Sequence, residues 1–458
     1  MWEVPFYWVG LKAYDLVAAL GNGLLYMSKF VSANEAIRQF PTLSRFSQGQ
    51  KLRGSIMYYD GQMDDARFNV SLALTAALYG AAVANHTEVI SLIRENDRVV
   101  GAKCRDTFTG DEFDIRAKVV VNATGPFTDS VRRMENDEAN AMIVPSAGVH
   151  ITLPSYYSPD GMGLIVPKTK DGRVVFMLPW LGRTIAGTTD SSTEITALPR
   201  PHSAEVEFIL DALKDYLRID VRPSDVQSAW SGIRPLAVNP DADNSSTQNI
   251  LREHAVHVSP EKVVTITGGK WTTQRAMGEA AVDRAIQVGE LEDKASRCKT
   301  PFVQLVGAHK WDNAYFTFLT QRYEILGTAP TSSTTAIASS NLDVQCAKHL
   351  SRAYGDQAFK VAEIAETGHG ARLVEGYPYI EAEVLYCVRE EYCMTAMDFL
   401  ARRCRLVFLD SRGALAALPR VVAIMGKELK WSKERMRKEI AEGETMIGTF
   451  SCGIPDSK

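Results

Sequence analysis

Residues 263–281 read VVTITGGKWTTQRAMGEAA. The opening VVTIT is apolar and β-branched, as expected of a strand, and the residues after Thr273 have the amphipathic spacing of a helix. Between them stand Gly268, Gly269 and Lys270. A strand, a glycine pair and a helix start predict a βα turn that offers backbone N–H groups and the positive end of a helix dipole to an electron-rich ligand. The glycines allow close backbone approach, Thr272 or Thr273 supplies the cap, and Lys270 adds charge. An anion, a carbonyl or a ring edge would suit such a turn, and so would no ligand at all.

Two phosphate motifs are excluded by spacing. A P-loop needs Gly-x4-Gly-Lys-Ser/Thr. Here Val264 stands where the first glycine belongs, and Trp271 stands where the hydroxyl belongs. The dinucleotide fingerprint G-x-G-x-x-G is approached at Gly21–Tyr26 and Gly368–Leu373, but each stretch lacks the third glycine.

Working outward, residues 113–125 (FDIRAKVVVNATG) end a second strand signal. The run Val119–Val121 predicts a strand buried on both faces, and a helical FTDSVRRME follows. A buried strand, then glycine, then helix is where an open α/β sheet places its ligand. Upstream, residues 69–79 (NVSLALTAALY) read as a helix ended by Gly80, and EVISLIRE and RVVGAKCRD read as strands. From His150 to Asp190 short strands alternate with turns, which predicts an antiparallel sheet, either a separate substrate-covering domain or an insertion. The helix SAEVEFILDALKDYL and the strand signal QSAWSGIRPL follow. Beyond Pro301 the pattern is helical.

The chain has 458 residues, 45% hydrophobic and 23% charged, with net charge −4. Those proportions predict a folded chain of two or three domains. Acidic residues (55) outnumber basic ones (51), which argues against a nucleic-acid-binding face. Seven scattered cysteines without a CxxC pair argue against a zinc site or disulfide framework, and for a reducing compartment. The glycosylation-like triplets at Asn85, Asn122 and Asn244 read as chance matches. No apolar run is long enough to span a bilayer. The apolar N-terminus carries neither the basic start nor the cleavage site of a signal peptide. Its aromatic content favours a core helix over one lying on a bilayer surface.

Seven stretches together carry a resemblance. They are YYDGQMDDARFN (58–69), VVNATGPFTDSV (120–131), SAGVHITLP (146–154), AGTTD (186–190), SAWSGIRPL (228–236), TGGKWTTQR (267–275), and YPYIEAEV with DFLARRCRLVFLD (377–410). In order and nearly end to end, they resemble the FAD-dependent glycerol-3-phosphate dehydrogenases, the mitochondrial type above all. The resemblance implies an α/β plus α fold: an incomplete glutathione-reductase-like FAD-binding domain (1–145 and 227–295), an antiparallel substrate-domain segment (146–226) and a C-terminal helical domain (300–458). It implies oxidation of sn-glycerol 3-phosphate to dihydroxyacetone phosphate, with hydride passed to FAD and electrons to ubiquinone. It also implies work at the mitochondrial inner-membrane surface, and it is compatible with a homodimer.

Residue by residue, the resemblance assigns Arg234 and His150 as catalytic. It assigns Arg252 and Lys270 to the substrate, and Val89, Ala123, Thr124, Gly125, Gly268, Gly269, Lys270, Thr272 and Thr273 to FAD. The chemistry agrees: hydride removal needs a base for the hydroxyl, and a phosphate dianion needs fixed cations. Arg402, Arg403 and Arg405 read instead as a charge run on a solvated or domain-contact face, and His254 and His257 read as structural.

The family opens with a βαβ unit of about 30 residues carrying G-x-G-x-x-G, and the sequence contains no such unit. Its calcium-binding C-terminal extension, seen in animal members, is also not in the sequence. The expected consequence is unpaired strand edges and exposed apolar faces. Two alternatives therefore stand beside the dehydrogenase: a non-catalytic interaction protein unable to hold FAD, and a glycerol-3-phosphate oxidase that reduces oxygen.

Overall fold

The computed structural model describes residues 3–21, 23, 26–47, 49–166, 173–238, 251, 253–324 and 342–451. Helix α1 (Glu3–Leu20) lies on the surface, with Phe6, Trp8, Val9, Leu16, Val17 and Leu20 exposed. The core-helix expectation is thus overturned. Its apolar side chains are spread around the helix, and neighbours cover only the strip beside Asp15. That buried carboxylate accepts the Ser28 N–H at 2.9 Å and hydroxyl at 2.6 Å.

Helix α2 (Asp65–Leu78) begins four residues ahead of the expected start at Asn69. Asp64 explains the extension: its carboxylate accepts the N–H groups of Ala66 and Arg67, both at 3.1 Å, as an N-cap. Leu78 and Tyr79 at its far end are 77% and 74% exposed.

The predicted strand 113–125 is two strands in two sheets. Strands β1 (Thr87–Glu95), β2 (Arg98–Asp106) and β3 (Glu112–Arg116) form an antiparallel meander, and β4 (Val121–Asn122) joins a different sheet. The meander holds the chain as far as Ala117, whose N–H donates to Val100 O at 2.9 Å, and the strand then breaks away. Burial on both faces is also overturned, because Val121 is 43% exposed. Strand β4 pairs on one side only among the described residues, and helix α3 (Thr128–Glu135) follows it as expected.

The antiparallel sheet is built around β5 (Ile143–Leu153), with β6 (Leu164–Val166), β7 (Val175–Trp180) and β8 (Arg183–Gly187) running out from one edge. Period-two alternation sorts its side chains. Val149, Ile151 and Leu153 share a core with Val175, Met177 and the apolar face of α4 (Ser203–Lys214). Gly148, His150 and Thr152 therefore take the opposite face. Strand β9 (Ser228–Ala237) pairs with the other edge of β5 along its whole length, setting Trp230 opposite His150 and Arg234 opposite Ser146.

Strands β10 (His254–Val258) and β11 (Val264–Gly268) pair antiparallel, and β11 runs parallel to β4 with Val264 opposite Val121. Helix α5 (Gln274–Gly289) completes the βα unit from which the sequence reading began. The C-terminal region is helical: α6 (Tyr315–Glu324), α7 (Val344–Tyr354), α8 (Ala358–Ile364), α9 (Glu381–Glu390), α10 (Leu406–Leu409), α11 (Ser411–Glu428) and α12 (Lys433–Gly448). Among them lies the largest buried apolar cluster of the described residues. Helix α11 is the element least visible in sequence, since Pro419 lies inside it. Asp410 starts it, accepting the N–H groups of Arg412 and Gly413 at 3.0 Å.

The six described cysteines are free thiols. Asn85 donates its amide to Tyr392 O at 2.7 Å, and Asn122 is buried. Asn244 lies outside the described residues. No helix among the described residues is long and apolar enough to cross a membrane.

Candidate functional site

Pairing β5 with β9 brings His150 and Arg234 onto one sheet face. His150 stacks on Trp230 with ring centroids 5.7 Å apart and planes at 19°, and Phe176 closes its other side at 5.6 Å. Arg234 is held by the turn after β8. Its Nη2 donates to Thr188 Oγ1 at 2.9 Å and Thr189 O at 3.3 Å. Its Nη1 donates to Thr189 O at 3.2 Å and lies 3.4 Å from both Ala147 O and Asp190 Oδ1. Two glycines keep this space open. A Cβ on Gly148 would fall 2.2 Å from Arg234 Nη2, and one on Gly187 would fall 2.5 Å from His150 Cδ2.

The setting makes His150 a neutral imidazole. Burial, and secondarily the Arg234 guanidinium, pushes its pKa from the ordinary 6.5 down to about 4, while Asp65 pulls weakly the other way. The sign follows directly. Between about pH 6.5 and 4 the unfolded chain protonates this imidazole and the folded chain resists, so His150 weakens the fold as pH falls through that window. The His150 ring resonances, followed by NMR, should titrate near pH 4 and move up when Arg234 becomes Met. A titration near 6.5 would contradict the buried setting.

The two turns predicted to meet a ligand converge at the carboxyl ends of the parallel strands β4 and β11. The turn Gly125–Phe127 touches both β9 and β11. Gly268 and Gly269 have φ of 76° and 71°, left-handed values that glycine adopts without strain. They are also cramped: added Cβ atoms would lie 2.6 Å from Ala237 Cβ and 2.7 Å from Met277 Sδ. Gly125, at φ 57°, faces open space, with no atom within 4 Å of its would-be Cβ. Asn122 latches that turn, accepting from Thr124 Oγ1 at 2.7 Å and donating to Thr128 O at 3.0 Å.

The cap of the second turn differs from expectation. A short 3-10 turn, Trp271–Thr273, precedes α5, and Thr273 Oγ1 donates back to Lys270 O at 2.9 Å instead of accepting from the helix. Ala123, Thr124, Lys270, Thr272 and Thr273 are exposed at this end of the sheet. Val89 stands in the meander opposite Cys104. Arg252 lies outside the described residues.

Other residues at the site escaped the sequence reading. Gln62 Nε2 donates to Pro179 O at 3.1 Å, setting the stretch before α2 against β7. Asp65 heads α2, and one turn later Phe68 meets Trp271 edge-to-face at 6.1 Å, so one helix face links the His150 side to the Lys270 turn. Of the expected charge run, Arg402 is solvated and Arg405 takes the domain-contact alternative, while Arg403 is turned into the helical region. Arg403 is buried and donates to the carbonyls of Glu391 and Asp398. Arg405 reaches Asp65 across the domains, Nη1 to Oδ1 at 2.9 Å. The left-handed backbone at Arg405 (φ 61°) turns its side chain inward, and no periodicity in sequence shows that.

A family model described as an FAD dependent oxidoreductase matches residues 6–284, and one described as the C-terminal domain of alpha-glycerophosphate oxidase matches residues 298–436. The chain is 55% identical over 451 residues to a mitochondrial glycerol-3-phosphate dehydrogenase of Arabidopsis thaliana, a match covering 98% of this chain and 70% of that protein. With the mitochondrial glycerol-3-phosphate dehydrogenase of Homo sapiens it shares 47% identity over 453 residues, covering 96% of this chain and 58% of that one. The chain therefore spans less than two thirds of the animal relatives it matches. The solved structure of glycerol-3-phosphate dehydrogenase from Bacillus halodurans, complexed with FAD, aligns with a TM-score of 0.76 at 25% identity, covering 94% of this chain and 81% of that chain. Similarity this high over nearly the whole length reflects common descent, and the chain belongs to the family of FAD-dependent glycerol-3-phosphate dehydrogenases of the mitochondrial type.

Proposed function

We propose that the chain oxidises sn-glycerol 3-phosphate to dihydroxyacetone phosphate with FAD as hydride acceptor, and that the electrons pass on to ubiquinone. The observation that carries this reading is the pairing of β5 with β9. It sets a neutral imidazole and a fixed guanidinium on one face, beside the two glycine turns. FAD, when bound, supplies an acceptor for the hydride leaving the substrate's C2.

The chain's own residues do the rest. An imidazole nitrogen of His150, unprotonated at neutral pH, takes the C2 hydroxyl proton. Arg234, immobilised by Thr188 and Thr189, stabilises charge developing on that oxygen. Lys270 and Arg252 supply cations for the phosphate. The residues fit the flavin end of the cofactor: open space before Gly125 and the left-handed pair Gly268–Gly269 suit a ring or carbonyl approached by backbone. They do not include a G-x-G-x-x-G cradle for its phosphates.

The same reading treats the α/β parts, 1–145 and 227–295, as a glutathione-reductase-like FAD-binding domain, with 146–226 as substrate segment and 300–458 as helical domain. It places the chain at the mitochondrial inner membrane. The exposed Phe6, Trp8, Leu16 and Leu20 of α1 support a bilayer-facing surface.

The test is spectroscopic. Purified chain should show a flavin band that bleaches with glycerol 3-phosphate, and Arg234→Ala should slow bleaching by about 10²-fold or more, with flavin content unchanged. A colourless chain, or equal loss of flavin and bleaching in the variant, would contradict the proposal.

A further inference from the structure

The turn before α10 carries a residue that the reaction at His150 and Arg234 leaves unused. Arg405 has φ 61°, a strained value for a side chain other than glycine or asparagine. Its guanidinium carbon lies 4.1 Å from the Phe408 ring centroid and 5.4 Å from that of Trp180. Nη1 donates to Asp65 at 2.9 Å, and the buried Nε has no acceptor. An unpaired buried donor is costly, and an apolar side chain would fill such a site more stably than a desolvated cation. Packing alone therefore does not account for an arginine here.

Its neighbours do. Trp180 and Phe408 both pack on Trp230, at 5.7 and 5.2 Å, and Trp230 is the ring on which His150 stacks. At the other end of Arg405, Asp65 is, among the described residues, one of two charges acting on His150, the other being Arg234. Among the described residues, those in contact with His150 on the neighbouring strands are uncharged: Phe176 on β7, Gly187 on β8 and Trp230 on β9. Arg183 on β8 is turned away, over Tyr377 at 4.5 Å.

We propose that Arg405 is a positioning residue for the oxidation. It is a cation from the C-terminal domain that clamps Asp65 and braces the Trp180–Trp230–Phe408 wall, so that the helical domain sets both the seat of His150 and the charge it faces. This rests on His150 as the proton acceptor.

The experiment compares Arg405→Met, Arg405→Lys, Asp65→Asn and the Arg405→Met/Asp65→Asn pair in the flavin-loaded full chain. Arg405→Met should lower kcat about 10- to 100-fold while flavin content holds. It should also move the His150 NMR titration upward, because Asp65 loses its counter-charge. Adding Asp65→Asn should bring that titration back down, and Arg405→Lys should keep it near the parent value. An unmoved titration in folded Arg405→Met, no reversal in the double variant, or unchanged kcat would each overturn the proposal. If Arg405→Met does not fold, Asp65→Asn alone decides: the titration must fall below the parent's, and a constant value overturns the clamp. If glycerol 3-phosphate fails to bleach the unsubstituted chain, the proposed function falls, and the NMR titrations still decide whether Arg405 governs His150.

Discussion

Arg67→Met should loosen the helical domain from the rest of the chain, at a cost of about 3–5 kcal/mol, because it strands a buried carboxylate. Arg67 on α2 makes a two-pronged pair with Glu391, Nη1 to Oε2 at 2.6 Å and Nη2 to Oε1 at 2.7 Å, and its Nε donates to Ala353 O at 2.8 Å. The guanidinium also covers the Tyr354 ring at 4.4 Å. Glu391 is 2% exposed, so water cannot replace the lost partner. Burial alone would push its pKa up, but Arg67 outweighs that and holds the carboxyl below its ordinary range. A depressed folded-state pKa adds stability above the unfolded value and loses it as pH falls through the folded one, so the clamp should fail on acidification. Replacing both partners, as in Arg67→Met/Glu391→Leu, removes the stranded charge and should recover most of the loss. Calorimetry reads this as a large fall in melting temperature for the single variant and a small one for the double. Equal falls in both would show that the charge pair is not what matters.

Gly148→Ala should have the opposite signature, a folded protein that barely reacts. The added methyl would sit 2.2 Å from Arg234 Nη2, 2.5 Å from Cζ and 2.7 Å from Nη1, occupying the guanidinium's position. The obstructed group is the free end of a long side chain, which swings aside more easily than a central strand moves. The fold should therefore lose no more than about 1 kcal/mol. The guanidinium would lose Thr188 and Thr189, and the rate of flavin bleaching should drop about 10²- to 10³-fold, as when a preorganised donor is removed. Gly232, paired with Gly148 across the strands, is the control, since its would-be Cβ meets nothing within 4 Å. Gly232→Ala should bleach at the parent rate. Gly148→Ala retaining a third or more of the parent rate would remove Arg234 from the reaction.

The contrast between these glycines shows where sequence reading stops. Gly268 and Gly269 could be singled out in advance, because a strand–glycine–helix junction marks a turn of close backbone approach, and the structure shows both in left-handed backbone there. Gly148 could not, because it sits mid-strand and is needed only for a side chain arriving from residue 234. Val119–Val121 misled for a related reason. A β-branched run predicts strand, but how much of it is buried depends on which strands lie alongside, and β4 has a neighbour on one side only among the described residues. The apolar N-terminus misled likewise, since hydrophobicity alone does not say whether neighbours cover a helix.

The sequence by itself determined the family, the βα turns, the antiparallel pattern around His150 and the chemistry available to His150 and Arg234. The turns and the antiparallel pattern follow from local residue order, since strand alternation, glycine pairs and helix starts act over a few residues, whereas the family and the roles of His150 and Arg234 came from the resemblance that the longer motifs carry. Only the tertiary structure decided that α1 is exposed, that β9 delivers Arg234 beside His150, and that Arg67 and Arg405 point inward to join two regions more than three hundred residues apart. Those outcomes depend on side chains meeting across long chain separations, where packing space and charge pairing choose the partner and local order carries no trace of it.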